Sequence, residues 1–187
     1  MQELKELFEN YIPYNQQEQA DRQLILQAFS SFHNLLTREN PIIHLCASPW
    51  IMSKDQKQVL LVYHRIYDSW GWSGGHCDGD ANLWQVAQRE GKEETGIEAL
   101  QLADPTPLAI DVLRVPRHWK NDRFVSAHLH INVTYLFYGD PLAPLSHKED
   151  EVKGAKWFPA AQIAKIVKEQ EMLPVYEKLN NKASQIG

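Results

Sequence analysis

Two hydrophobic periodicities divide this chain. Up to about residue 37 apolar side chains recur at helical spacing, with Leu24, Ala28, Phe32 and Leu35 along one face of a segment from Gln16 to Leu36. Pro13 interrupts any earlier helix and Pro41 marks the boundary. From Ile42 onward strand patterns take over. Ile42–Ala47 and Gln58–His64 are apolar-rich and flank a polar turn around Lys54 and Asp55, and Leu108–Val115 runs between Pro107 and Pro116. The clearest alternation covers Phe124–Tyr138. It places Leu129, Ile131, Val133, Tyr135 and Phe137 on one face and His128, His130, Asn132 and Thr134 on the other. A prolyl loop over 141–150 leads to a further strand at Val152–Phe158. Pro159 then opens a helix over Ala160–Glu169, with Ile163, Ile166 and Val167 inward, and Val175–Leu179 predicts a last short helix.

One helix breaks its own pattern. The spacing predicts it over Leu83–Thr95, with Asn82 and Gln85 as an N-cap pair and Gly96 as a left-handed C-cap. Leu83, Val86 and Ala87 form its apolar stripe, and Glu90, Glu93 and Glu94 continue that stripe where Leu or Ile would be ordinary. Three acids within one turn repel one another, and each opposes the helix dipole by about 0.3–1 kcal/mol. Arg89 and Lys92 relieve part of this, and Arg89 stands four residues before Glu93. A solvated acidic face is the plain alternative. Two features point instead to a metal–phosphate site. The acids lie in line with the apolar stripe, and they follow a glycine-rich turn able to bring backbone close to a ligand. A hard divalent cation such as Mg²⁺ takes oxygen ligands of this kind, together with waters and substrate phosphate oxygens.

Composition narrows the field further. A chain of 187 residues suffices for one domain plus an extension, so residues 1–40 are read as an N-terminal helical extension and 41–187 as the main domain. The extension is either a packing element or a contact in a homodimer. A net charge of −5 argues against a surface for polymeric nucleic acid, though not against a small phosphorylated substrate whose charge a metal offsets. Cys46 and Cys77 are the two cysteines, too few for a disulfide framework, which suits a reducing, cytoplasmic setting. The opening MQELKELFENY lacks a signal-peptide core, and no apolar run has the length of a membrane span. No nucleophile elbow, Walker loop or zinc-type Cys/His spacing is present.

The segment from Gly75 to Ile97 resembles the signature of the Nudix hydrolases, G-x5-E-x7-R-E-U-x-E-E-x-G-U, with U a bulky apolar residue. Gly75, Arg89-Glu90, Glu93-Glu94 and Gly96-Ile97 occupy its fixed positions, and Trp70–Gly75 resembles the strand and turn leading into it. The resemblance is tight over the box and looser over about residues 41–170. Two positions depart from it. Ala81 replaces the first Glu, with Asp80 one residue earlier, and Gly91 replaces an apolar helix residue at a cost of about 1 kcal/mol relative to Ala.

The resemblance implies an α/β fold, an α/β/α sandwich around a mixed β-sheet. It also implies hydrolysis of a nucleoside diphosphate linked to another moiety, assisted by Mg²⁺ or Mn²⁺. By position, Glu90, Glu93 and Glu94 would hold the metal with the Gly75 carbonyl, and Glu151 would be a distal acid ligand. Glu93 or Glu151 would serve as the water-activating base, and Arg89 would hold the glutamates in place. Two other activities stay open on this resemblance: an isoprenoid diphosphate isomerase, for which Cys77 is the available thiol, and a nucleotide sensor without turnover. Outside the box, His128, His130 and Arg65 are candidate substrate contacts, as are Tyr63, His64 and Tyr67. The basic stretch RVPRHWKNDR (114–123) reads as a solvated loop in which Trp119 is placed to stack on a base. His76 reads as a turn residue.

Overall fold

The computed structural model describes residues 1–120, 122–147 and 152–186. Its centre is a parallel pair, β1 (Ile43–Met52) and β9 (His128–Tyr138), in register from Ile43↔Leu129 to Met52↔Tyr138. Every other described pairing is antiparallel, so the sheet is mixed. Beyond β1 lie β2 (Gln58–His64) and β10 (Val152–Pro159). The short β3 (Ser69–Gly71) pairs with β2, and β4 (Gly75–His76) with β1. On the far side of β9 lie β5 (Gln101–Leu102) and β6 (Ala109–Val115). A separate hairpin joins β7 (His118–Lys120) to β8 (Arg123–Val125).

All ten residues of β1 are buried, and strand alternation sorts them into two cores. Ile43, Leu45, Ala47 and Ile51 pack with Leu83, Val86 and Ala87 of α3 (Leu83–Thr95) and with the N-terminal helices. Trp50 and Met52 pack on the opposite face with Ile163 of α4 (Ile163–Ile166) and with Tyr176 and Leu179 of α5 (Leu173–Ala183). The result is the three-layered α/β/α arrangement. Pro49 falls between the β1 residues paired with β4 and the one paired with β2, so its missing N–H breaks no pairing on that side.

Several element boundaries differ from the periodicity. The first 31 residues form two helices, α1 (Gln2–Asn10) and α2 (Gln16–Ser31), and Phe32 is already extended. The buried face of α2 is Glu18, Ile25 and Ala28, whereas Leu24 is 39% exposed; Leu35 is buried from an irregular segment. The stripe is displaced because the helix buries an ionised residue among its apolar ones. The alternation over 124–138 is cut at Ser126–Ala127, since β8 pairs with β7 and leaves the sheet. The helix after Pro159 is a 3-10 turn plus one helical turn ending at Ile166, and the last helix is longer than its apolar core, reaching Ala183.

The N-terminal helices belong to the core. Leu4, Phe8, Ile25 and Ala28 are buried in the same cluster as α3. Asp21 Oδ2 accepts from Val112 N at 2.9 Å, covering the edge of β6. A buried ionic clasp then ties α2 to the C-terminal helix around that edge. Lys178 Nζ reaches Asp111 Oδ1 at 2.6 Å and Glu18 Oε1 at 3.2 Å, and Lys182 Nζ reaches Glu18 Oε1 at 3.1 Å. The Tyr11 hydroxyl donates to Glu18 Oε2 at 2.8 Å. Burial works against the Glu18 carboxylate, yet the Tyr14 amide, the two lysines and the Tyr11 hydroxyl together hold its pKa below the ordinary value. No described helix is long and apolar enough to cross a membrane.

Candidate active site

The box helix is bounded as its caps predict. Asn82 Oδ1 accepts from Gln85 N at 3.4 Å, and Gly96 adopts φ 73° with its N–H on Lys92 O at 2.8 Å. Gly91 has a packing reason. A methyl group there would stand 2.9 Å from Leu100 Cδ1 and 3.0 Å from Pro49 Cγ, so the missing side chain lets α3 lie close against β1. Ala81 is exposed, and Asp80 takes a neighbouring role by placing Oδ2 3.5 Å from Arg89 Nη1.

The three glutamates occupy graded environments. Glu94 is 4% exposed, and its Oε2 accepts from Gly74 N at 3.1 Å. Glu90 is half-buried, with Oε1 3.5 Å from Arg89 Nη2. Glu93 is exposed. The strand pair Ala47↔Gly75 lays the turn against β1, and a side chain at Gly75 would overlap the Glu90 carboxylate. All three glutamates, with Gly74 and Gly75, line one cleft of about 1020 Å³.

The remaining predicted residues divide into those that reach the cleft and those that do not. His128, His130 and Arg65 line it, as do His64 and Tyr67. Tyr63 turns away, donating to the Asp68 carbonyl oxygen at 3.0 Å. The basic stretch is solvated but not a loop: Arg114 and Val115 end β6, and His118–Lys120 pairs with Arg123–Val125. Its Trp119 (70% exposed) and Phe124 (54% exposed) meet edge-on at 5.5 Å, and Arg114 and Arg123 share the cleft with them. Glu151 lies outside the described residues; the strand that follows it begins at Val152, paired with His64. Cys77 is buried and does not line the cleft, and burial pushes its thiol up to about 12, so it offers no reactive group to a substrate.

The floor of the cleft also holds His44, Cys46 and Ser48, which sequence reasoning missed. Strand alternation puts His44, Cys46 and Ser48 of β1 beside His130, Asn132 and Thr134 of β9 in direct register. Ser48 Oγ donates to Asn132 Oδ1 at 2.8 Å, and Asn132 Nδ2 donates to Thr134 Oγ1 at 3.1 Å. The signal was there: His44-x-Cys46-x-Ser48 has the same period as His128-x-His130-x-Asn132. His76, read as a turn residue, is paired with Cys46 and faces the same floor. Burial, and then the neighbouring imidazoles, pushes His130 down to about 2, and burial likewise lowers His44. These rings are neutral at physiological pH.

A three-layered sandwich with a glycine turn feeding a glutamate-rich helix over a deep cleft defines a phosphoanhydride-hydrolase architecture. The family model of the NUDIX domain matches residues 44–179, and the chain belongs to the Nudix family of pyrophosphohydrolases. Among solved structures it is similar to an Ap4A hydrolase of C. elegans in a binary complex, at 20% identity and TM-score 0.55, covering 75% of this chain and 98% of that one. It is similar also to the Nudix hydrolase RenU of M. smegmatis, at 14% identity and TM-score 0.54, covering 77% and 88%. No protein of curated function matches the chain by sequence.

Proposed function

We propose that this enzyme hydrolyses the pyrophosphate bond of a nucleoside diphosphate linked to another moiety, with Mg²⁺ or Mn²⁺ as cofactor. The observation that carries the reading is that one cleft is lined by the box glutamates, by Arg65, Arg114 and Arg123, and by the exposed ring pair Trp119–Phe124. Carboxylates suit a hard cation, guanidinium groups suit phosphate oxygens, and flat rings suit a base.

The box residues fit the metal. The donor set of Glu90, Glu93, Glu94 and the Gly75 carbonyl is all oxygen, and Gly75 leaves open the space beside Glu90 that any side chain would fill. When bound, such an ion stabilises developing charge on the diphosphate and lowers the pKa of the attacking water. The chain's own residues do the rest. Gly74 N–H anchors Glu94, and Arg89 steadies Glu90 between the helix and Asp80. Glu93, exposed to the cleft, orients the water and takes its proton as the oxygen adds to phosphorus and the bridging P–O bond breaks. Glu151 is the alternative base.

A panel of nucleoside triphosphates, dinucleotides, ADP-ribose-type compounds and nucleotide sugars, incubated with Mg²⁺ or Mn²⁺ and resolved by mass spectrometry, tests this. Release of a nucleoside monophosphate or of phosphate from one class supports the proposal. Tight binding with no product would identify a sensor instead, and a rearranged diphosphate with no phosphate released would identify an isomerase.

A further inference from the structure

The cleft floor carries a second group of donors whose chemistry differs from that of the carboxylates. One donor atom from each of His44, Cys46, His76 and His130 lies within 4.8 Å of the other three. We infer that these four side chains form a binding site for a borderline transition metal of the zinc class, separate from the hard-cation site on the box helix.

The backbone builds this group. His44 and Cys46 are two apart on β1 and therefore share a face. His44 is in register with His130 across the parallel pair, and Cys46 with His76 across the antiparallel pair. The four residues are thus corners of one patch, fixed by sheet register rather than by a flexible loop.

His44 supplies the observation that imidazole stacking alone does not explain. It is 4% exposed, and its Nδ1 lies 3.0 Å from the Asn40 carbonyl oxygen, which fixes the proton on Nδ1. Nε2 then presents a lone pair to the cluster, and it is buried without a hydrogen-bond partner among the described residues. A backbone carbonyl orienting one ring nitrogen while the other is left bare is the usual arrangement behind a metal-bound histidine. Leaving such an acceptor buried and unsatisfied is otherwise unfavourable.

The donors also select the ion. Three imidazoles and one thiol are borderline-to-soft ligands, matched to Zn²⁺, Co²⁺ or their neighbours and poorly matched to Mg²⁺. Ligands at roughly 2.0–2.3 Å from a tetrahedral ion stand roughly 3.3–3.8 Å apart, so closure needs a shift of about 1 Å by side chains already together. The rings are already close-packed, with centroids of His44 and His130 4.8 Å apart and of His76 and His130 4.9 Å apart. His128 Nε2, 3.1 Å from His130 Nε2, stands beside the group as a further donor. Because His76 directly follows Gly75, an ion here would also hold the turn that carries the Gly75 carbonyl.

The test is cobalt titration of the full-length, chelator-stripped, untagged chain. One equivalent of Co²⁺ is expected to give tetrahedral d–d bands and a thiolate-to-cobalt charge-transfer band, displaced by Zn²⁺ and not by Mg²⁺. Cys46→Ser should abolish the charge-transfer band, and His76→Gln, at the part-exposed corner, should weaken Co²⁺ binding at least about tenfold. The doubly substituted Glu90→Gln/Glu94→Gln chain should keep both bands, which separates this site from the box. In case Cys46→Ser fails to fold, X-ray absorption of the zinc-loaded wild-type chain reads the same bond, with a sulfur scatterer expected at about 2.3 Å. A cobalt spectrum without a thiolate band, bands lost in the Glu90/Glu94 variant, or zinc with only nitrogen and oxygen neighbours would each overturn the inference.

Discussion

Two clusters of polar side chains in this molecule are arranged oppositely. In the clasp between α2, β6 and α5, each buried acid faces a lysine: Glu18 meets Lys178 and Lys182, and Asp111 meets Lys178. In the cleft, acids are grouped with acids along α3, and imidazoles with imidazoles on the floor. The clasp joins elements far apart in sequence and closes the molecule. The cleft gathers groups of like character around an open volume and so calls for a partner of complementary chemistry. The paired groups hold structural elements together, and the grouped donors line the cleft.

The comparison can be broken at either end. The largest effect is expected from Lys178→Met, which leaves Glu18 and Asp111 buried without their shared cation. Urea unfolding should show a loss of about 3–5 kcal/mol, while a change under 1 kcal/mol would mean that the clasp is not structural. Glu94→Gln should do the reverse. Turnover should fall by about two orders of magnitude or more, with the unfolding midpoint nearly unchanged, because the amide oxygen still accepts from Gly74 N–H. Near-normal hydrolysis would remove Glu94 from the machinery.

Smaller changes sharpen the picture. Gly91→Ala gains helix propensity but presses a methyl onto Pro49 and Leu100, so a net destabilisation of about 1 kcal/mol is expected by thermal unfolding. A stabilised variant would show that α3 is not held close by contact. The smallest effect is on pH dependence. Because the folded pKa of Glu18 lies below its ordinary 4.5, its contribution is complete above pH about 4.5 and fades as pH falls through the folded value. Glu18→Gln should flatten that acid limb of the stability curve, and identical limbs in both chains would contradict the assignment.

Much of the candidate site was legible because it is local. Asn82, Gln85 and Gly96 cap one helix, and a stripe turning from apolar to acidic within that helix needs no tertiary information to be seen. The floor was not legible in the same way. His44, Cys46, His76 and His130 lie on three strands, and no sequence spacing reports that β1 pairs with β9 on one side and β4 on the other. The buried face of α2 was misplaced by one residue, at Leu24 instead of Ile25, because the helix turns to aim Glu18 at lysines about 160 residues away.

By itself the sequence determined the box helix, its caps, most strand positions and the Nudix resemblance, since each depends on residues within a turn or two of one another. Only the tertiary structure decided that the N-terminal helices close the core, that the basic stretch runs into a hairpin carrying the Trp119–Phe124 pair, and that four donors meet on the sheet. Those outcomes depend on strand register and on long-range charge pairing, which act between segments distant along the chain.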